Sequence, residues 1–499
     1  MSAAYDDDPH TRPDPQALFE EVERVRARMD ADAAVLFAHW QDWIDRPEFV
    51  ESARNLADYI ALRRFDLRLL QDDLCTLGLS SLGRLEARVR PNLDAVAAAL
   101  LALAGRPAPQ RLPSREQMFH GRDRLTAHTE AIFGPPAHGA APRLMVTLAT
   151  ETAEDKSLVR HMAERGMDIA RINCAHDDAD VWQAMIANLR QASAAVGRPL
   201  RVMMDIAGPK CRTGEVITAP GFERLRRDDT LFLARKDFAP IDIYPAQATC
   251  TLVTALDQLR QGALVWFDDG RAGGTVRHVD SQGALVAISH APDKGVRLRS
   301  DKGLNFPGTP LGVPPLTARD IDALDVVAAQ ADMVGYSFVQ SADDIALLQE
   351  ELVRKAPERA RQIGLVAKIE TPQAVQELPN IIASGAGRQP FAVMIARGDL
   401  GVEIGFTRLA EMQEEILWLC EAAHVPVIWA TEVMARFVKK GTPSRGEMTD
   451  AAMSARAECV MLNKGPHIDK ALDWLKDLFA RMATHQDKKT ARLRALHSW

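Results

Sequence analysis

Leu365-Val366-Ala367-Lys368-Ile369-Glu370 and, further along, Phe391-Ala392-Val393-Met394-Ile395-Ala396-Arg397-Gly398-Asp399-Leu400-Gly401 decide the architecture. Each is a strongly apolar strand candidate that ends abruptly in charge, or in charge and glycine. Lys368 and Glu370 stand two residues apart on an extended chain, so they point to the same side of their strand. Buried strands that deliver Lys, Glu and Asp at their carboxyl ends are how a (β/α)8 barrel builds an active site. Two carboxylates beside an ammonium suit a hard divalent cation together with a phosphorylated substrate.

Working outward, six further β-rich runs share this character: Leu144–Leu148, Met167–Ile172, Leu200–Met204, Met333–Tyr336, Val425–Trp429 and Cys459–Leu462. Helical segments such as Lys156–Glu164, Asp180–Ala195, Ala318–Ala329, Asp343–Val353, Arg408–Ala423 and Ala471–Ala483 lie between most of them. Eight strands in such alternation predict a closed parallel (β/α)8 TIM barrel; an open doubly wound sheet is the alternative. One interval breaks the alternation. Between Gly214 and Asp301, the runs Thr230–Ala234, Thr249–Val253, Ala263–Phe267, Gly274–His278 and Ala284–Ser289 predict a small antiparallel β domain inserted after the third strand. Over a barrel mouth such a domain would act as a lid that excludes water.

The 499 residues exceed one ordinary core, so two or three domains are expected. Residues 1–135 read as an all-α domain and linker, 143–213 and 302–490 as the barrel, and 214–301 as the lid. Within the first region Gln16–Arg28, Val50–Asp73 and Pro91–Leu103 are helical, with Pro91 at a first helical position. Gly105–Ser114 and Phe133–Pro142 are rich in Pro and Gly and read as linkers. A net charge of −7 argues against general nucleic-acid binding. The apolar candidate Val96–Ala104 is nine residues, half of the ~18 a membrane span needs. The acidic Met1–Asp8 shows no secretory signal, and six scattered cysteines without CxxC spacing fit reduced thiols in a cytoplasmic protein.

Taken in order, the segments resemble the pyruvate kinase family. The motifs are Ala170-Arg171-Ile172-Asn173-Cys174-Ala175-His176, Asp205-Ile206-Ala207-Gly208-Pro209-Lys210-Cys211-Arg212-Thr213-Gly214, Lys302-Gly303-Leu304-Asn305-Phe306-Pro307-Gly308, the Lys368/Glu370 pair, Ala396-Arg397-Gly398-Asp399, and Ala430-Thr431-Glu432-Val433-Met434. Each is weak alone; six in the family order, with an insertion in the right place, are strong. The resemblance runs from Arg143 to about Ala483. The helical region before it has no counterpart there, and the family's carboxyl-terminal regulatory domain has none here.

The resemblance implies phosphoenolpyruvate and ADP as substrates, with Glu370 and Asp399 holding Mg²⁺ or Mn²⁺. It implies that Lys368 neutralises the phosphoryl group in transit and that Arg171 grips the substrate phosphate. Asn173, His176, Arg212, Lys302 and Gly398 would belong to the substrate and nucleotide surfaces. Thr431 would help deliver the proton that completes pyruvate, through water, since a threonine hydroxyl is a poor acid.

Four departures qualify the comparison. Ala175 stands where K⁺-dependent members carry Ser, and Lys210 where they carry Glu. A built-in ammonium at Lys210, acting with Asp205, would replace K⁺, so K⁺ is not required. The first strand ends in Thr147-Leu148-Ala149-Thr150 instead of Thr-x-Gly-Pro. The last is followed by Asn463-Lys464-Gly465-Pro466 instead of Ser-Gly-Glu-Thr. The last two leave the nucleotide or acceptor open. The competing functions are a metal-dependent lyase or aldolase working through a pyruvate enolate, and a non-catalytic barrel that binds a partner through its helical domain. Oligomeric state, including a homo-oligomer, is open.

Overall fold

The structure, a computed structural model, describes residues 12–107, 112–137, 139, 142–235, 243–309 and 312–491. The chain opens with helices α1 (Pro15–Trp40), α2 (Pro47–Leu62), α3 (Arg68–Thr76), α4 (Val89–Leu103) and α5 (Arg115–Phe133). Local chemistry sets their starts. Asp14 accepts hydrogen bonds from the Gln16 and Ala17 amides ahead of Pro15, and Ser114 with Gln117 forms a capping box at α5. The helix expected over Val50–Asp73 is two, α2 and α3, because the charged turn at Arg63–Leu67 releases the chain. Pro91 is the third residue of α4, not the first.

Then come strands β1 (Arg143–Thr147), β2 (Met167–Asn173) and β3 (Arg201–Ile206). The insertion follows as β4 (Thr213–Thr218), β5 (Thr230–Ala234), β6 (Ala246–Cys250), β7 (Leu264–Phe267), β8 (Ala272–Val279), β9 (Gly283–His290) and β10 (Leu304–Asn305). The chain returns through β11 (Met333–Tyr336), β12 (Gly364–Ile369), β13 (Phe391–Ala396), β14 (Val427–Ala430) and β15 (Cys459–Leu462). Eight strands, β1–β3 and β11–β15, close into a parallel barrel in chain order, β1 pairing with both β2 and β15. Met145, Ile169, Met203, Val366, Met394, Ile428 and Met461 fill its interior, and Ile132 and Phe133 at the end of α5 join the same apolar cluster. This barrel is a packed core whose polar groups emerge only at the strand ends.

The insertion forms a seven-stranded sheet in the order β10-β7-β8-β9-β5-β6-β4. It is antiparallel except for β5 beside β6. Two details differ from expectation. The strand expected at Thr249–Val253 lies at Ala246–Cys250, because Leu252 leads instead into a short helix, Val253–Gln258. The sheet also reaches past residue 301, since β10 pairs with Trp266 and Phe267.

The helical region is docked on the barrel through buried polar contacts. His424, after the helix Phe406–Ala422, is 3% exposed. Its Nδ1 meets Ser52 Oγ of α2 at 2.9 Å and its Nε2 meets the Ala87 carbonyl at 3.1 Å. Gly121 of α5 permits this approach: a Cβ there would come within 1.9 Å of the Ala87 oxygen and 2.5 Å of His424 Nε2. Burial pushes the His424 imidazole down to about 3, and His128, whose Nδ1 contacts the His424 carbonyl, is also lowered by burial. An unfolded histidine takes up its proton near pH 6.5, so the unfolded chain binds more protons throughout the window below that. Stability is therefore full above about pH 6.5 and falls as pH drops toward 3, by up to a few kcal/mol from this group. Thermal melts in that range should show a downward trend in Tm that His424→Gln flattens.

Candidate active site

The carboxyl ends of β2, β3, β11, β12 and β13 bring their polar residues to one face of the barrel. Lys368, the penultimate residue of β12, is 3.3 Å from Asp205 Oδ1, 3.2 Å from Glu370 Oε1, and donates to Ser337 Oγ at 2.7 Å. Asp205, at the end of β3 and 1% exposed, also takes Arg171 from β2 through Nε at 2.8 Å and through Nη2. Arg171 Nη1 donates to Thr147 Oγ1 at 3.0 Å. Gly335 on β11 leaves the space this requires, since a Cβ would stand 2.9 Å from Asp205 Oδ1. Asp399 lies in the first turn of the helix Arg397–Ile404 and receives Lys210 Nζ at 2.8 and 3.1 Å. Three cations thus meet three carboxylates.

Their ionisation follows from this mutual arrangement. Burial drives the Glu370 carboxyl up; Lys368 opposes it, and the negative charge of Asp399 adds to it. Lys368 is raised in spite of burial, by Asp205 and Glu370, and so keeps its proton. For Asp205, burial pushes upward, yet Lys368 and Arg171 together hold it below the ordinary carboxylate range. A buried carboxyl destabilised by a second carboxylate is a fit for a divalent cation, and Glu370 with Asp399 supplies hard oxygen donors. Among the described residues no group of three His, Cys, Asp or Glu side chains is placed to hold a metal. The remaining ligands of such an ion would come from substrate and water.

Thr431 sits just past β14 with φ +63°, a conformation β-branched residues rarely adopt, and Glu432 and Met434 are also left-handed. Its hydroxyl donates to the Ala430 carbonyl and accepts the Gly398 amide, both at 2.8 Å. Arg397 braces the turn, donating to the carbonyls of Ala430 (2.9 Å) and Thr431 (2.7 Å) while paired with Asp450. Asn173 Oδ1 caps the Ala175 amide at 3.2 Å. The exposed His176 bonds through its backbone, its amide donating to the Asn173 carbonyl at 3.1 Å and its carbonyl accepting from Trp182, and its side chain is not drawn into the cluster. Arg212 pairs with Asp301 at 3.4 Å, and Lys302 with Asp268 at 2.9 Å.

One pairing is corrected. Lys210 does not join Asp205; it reaches Asp399. Asp205 is already neutralised by Arg171 and Lys368 inside the barrel, whereas Lys210 lies beyond the Gly208 turn, on the way to the insertion. Sequence reasoning also missed Ser337, which orients Lys368, and Phe338, whose amide donates to Glu370 Oε2 at 2.6 Å from a φ of +56°. The rule that singled out Lys368, polar residues at a strand's carboxyl end, applies equally to Ser337 after β11.

Residues 141–466 match the family model described as the pyruvate kinase barrel domain. The chain belongs to the pyruvate kinase family. It is 30% identical over 371 residues to pyruvate kinase 1 of Trypanosoma brucei brucei, covering 71% of this chain and 70% of that one. It is 28% identical to the pyruvate kinase of Leishmania mexicana, over 70% and 68% of the two chains. The pyruvate kinase of Aeropyrum pernix is 28% identical over 68% and 70%.

Within this pyruvate kinase barrel the inserted sheet rests on the mouth. Lys210 is 3.9 Å from Asp269 of the insertion, and the next residue, Gly270, faces Val402. Asn305 Nδ2 of β10 donates to Glu403 Oε1 at 3.1 Å, while its buried Oδ1 has no partner. Burial raises the Glu403 carboxyl to about 7, with Asp399 adding to the shift. A carboxyl raised on folding stabilises the contact below its ordinary value of 4.5, and that contribution is lost as pH rises through 7. Glu403→Gln supplies an uncharged amide that can also donate toward Asn305 Oδ1. Between about pH 4.5 and 8 its Tm should stay level where that of the parent falls, with a gain of about 1 kcal/mol at the upper end.

Proposed function

We propose that the protein transfers the phosphoryl group of phosphoenolpyruvate to ADP, yielding pyruvate and ATP, with Mg²⁺ or Mn²⁺ and without K⁺. The observation that carries this reading is Lys368, buried yet kept charged between Asp205 and Glu370, with Arg171 on the same carboxylate. Such a fixed cation neutralises charge on a phosphoryl group passing between two oxygens without waiting for solvent to reorganise. Glu370 and Asp399 would hold the divalent ion, which supplies charge compensation to the substrate's carboxylate and phosphate.

Arg171 is free to exchange Thr147 for a phosphate oxygen while keeping its grip on Asp205. As the bond from phosphorus to the enol oxygen breaks, an oxygen of the ADP terminal phosphate takes the phosphoryl group and the enolate carbon needs a proton. The Thr431 hydroxyl has its proton engaged by the Ala430 carbonyl, so it orients a water that delivers the proton instead of giving up its own. Arg397 and Gly398 keep that hydroxyl in place. Arg212 and Lys302, paired with Asp301 and Asp268, would turn to the nucleotide as it enters beneath the lid.

Thr147 Oγ1 lies 3.4 Å from Asn463 Oδ1, so the two altered loops form one wall beside Arg171. That wall favours a changed acceptor as the second reading. The test is pyruvate formation from phosphoenolpyruvate, ADP and Mg²⁺ without K⁺, coupled to lactate dehydrogenase. Turnover supports the kinase. Its absence, with K⁺, Mn²⁺ and other nucleoside diphosphates also supplied, removes ADP as acceptor and leaves the enolate-lyase chemistry.

A further inference from the structure

At the opposite end of the barrel, a cavity of about 610 Å³ lies between the helical region, the start of β1 and the chain after the last barrel helix. Its apolar wall includes Phe119, Leu125 and Phe479, and its volume falls within the range of sites for small organic ligands. What distinguishes it is unmatched positive charge.

Arg143, 8% exposed, spends its Nε on the Gly134 carbonyl at 3.1 Å, and its two terminal nitrogens have no partner among the described residues. Burial accordingly lowers its pKa. Arg84 has neither hydrogen bond nor ion pair among them, and Arg88 reaches only the Met118 carbonyl at 3.4 Å. Arg122 has only its neighbour Asp123, at 3.7 Å. The carboxylates in the cavity do not make up the difference. Glu86 is taken by Lys489 and Glu458 by Lys488, and Asp487 is itself engaged. Glu130 remains, together with Glu421, whose carboxyl burial raises to about 7.

A second, independent observation concerns Phe119. The guanidinium groups of Arg88, Arg115 and Arg122 stand 5.3, 5.6 and 5.1 Å from the centroid of its ring. A ring face attracts one cation, but gathering three like charges around it costs electrostatic energy. Forked donors that outnumber their acceptors match the oxygens of a phosphate, which takes several guanidinium hydrogen bonds where a carboxylate takes one fork.

We propose that this cavity binds a small phosphorylated anion, its phosphate held by Arg143 from the barrel and by Arg88 and Arg122 from the helical region. Because those residues come from both sides, the ligand clamps the helical region to the barrel floor. The site is separate from the catalytic face, so the proposal stands or falls independently of the kinase reading.

The test uses the full chain and isothermal titration calorimetry with pyrophosphate, ribose 5-phosphate and adenosine monophosphate. The three arms separate inorganic, sugar-linked and nucleoside-linked sources of the phosphate. Arg122→Gln and Arg143→Gln are each expected to weaken the cavity event about tenfold or more, the loss of one charge-assisted bond. Arg171→Gln, at the catalytic face, should leave that event unchanged. Arg122 lies on an exposed helix face and touches no catalytic group, so basal turnover of Arg122→Gln should equal that of the parent. If Arg143→Gln fails to fold, Arg88→Gln combined with Arg122→Gln carries the test. Affinity unchanged in these variants, binding lost only in Arg171→Gln, or no binding at millimolar concentration of all three compounds overturns the proposal.

Discussion

Lys368→Met is expected to lower kcat for pyruvate formation by about 10²–10³-fold or more, the usual loss when one preorganised donor to a developing charge is removed. The loss should appear in kcat more than in KM, because Arg171 and Asp399 still bind substrate while the charge in transit goes uncompensated. The same substitution leaves Asp205 and Glu370 buried without the ammonium between them. Removing one partner of a buried pair typically costs about 3–5 kcal/mol, so a lower Tm should accompany the loss of activity. Glu370→Gln separates the two effects. It keeps the Phe338 amide contact and removes a carboxyl that burial and Asp399 already destabilise, so its Tm should change little. Its turnover should still collapse, and the divalent-ion concentration needed for any residual rate should rise. If both variants turn over at parental rates, Lys368 and Glu370 are a structural pair and the kinase reading fails with them.

The barrel was legible because all eight of its strands are buried on both faces and therefore read as continuous apolar runs. At Met333–Tyr336 and Cys459–Leu462 even the ends coincide. Polar residues interrupt those runs only where the strands emerge, and this is why Lys368, Glu370 and Asp399 stood out. The inserted sheet was legible in kind and less so in register. Ala246–Cys250 is short and flanked by β-branched residues on its carboxyl side, so the sequence pulls the strand toward Thr249–Val253. The pairing with β4 and β5 places it three residues earlier. What stayed hidden were partnerships across long sequence separations. His424 meets Ser52 across 372 residues, and no local pattern marks either as an interface residue. The pairing of Lys210 was misjudged for the same reason. The expectation joined it to Asp205, while the turn at Gly208 directs the side chain to Asp399 at a different strand end.

That turn governs the second large effect expected. Lys210→Ala removes the ammonium from both oxygens of Asp399, on the same carboxylate that Glu370 joins in the proposed divalent site. Two carboxylates then face each other with one cation fewer, and their repulsion raises the affinity for added cations while the fixed charge once held beside the phosphoryl group is gone. Turnover should drop by about 10²-fold, with a steeper dependence on Mg²⁺. Potassium alone should not restore it, because Ala175 provides no hydroxyl oxygen for a monovalent ion. Adding Ala175→Ser to Lys210→Glu supplies the missing oxygens, and in that double variant K⁺ should raise kcat severalfold where Na⁺ does not. A parental enzyme already stimulated by K⁺, or Lys210→Ala that turns over at the parental rate without K⁺, would show that the ammonium is not the monovalent surrogate. Its bond to Asp399 would then serve to hold the empty site closed until substrate and metal displace it.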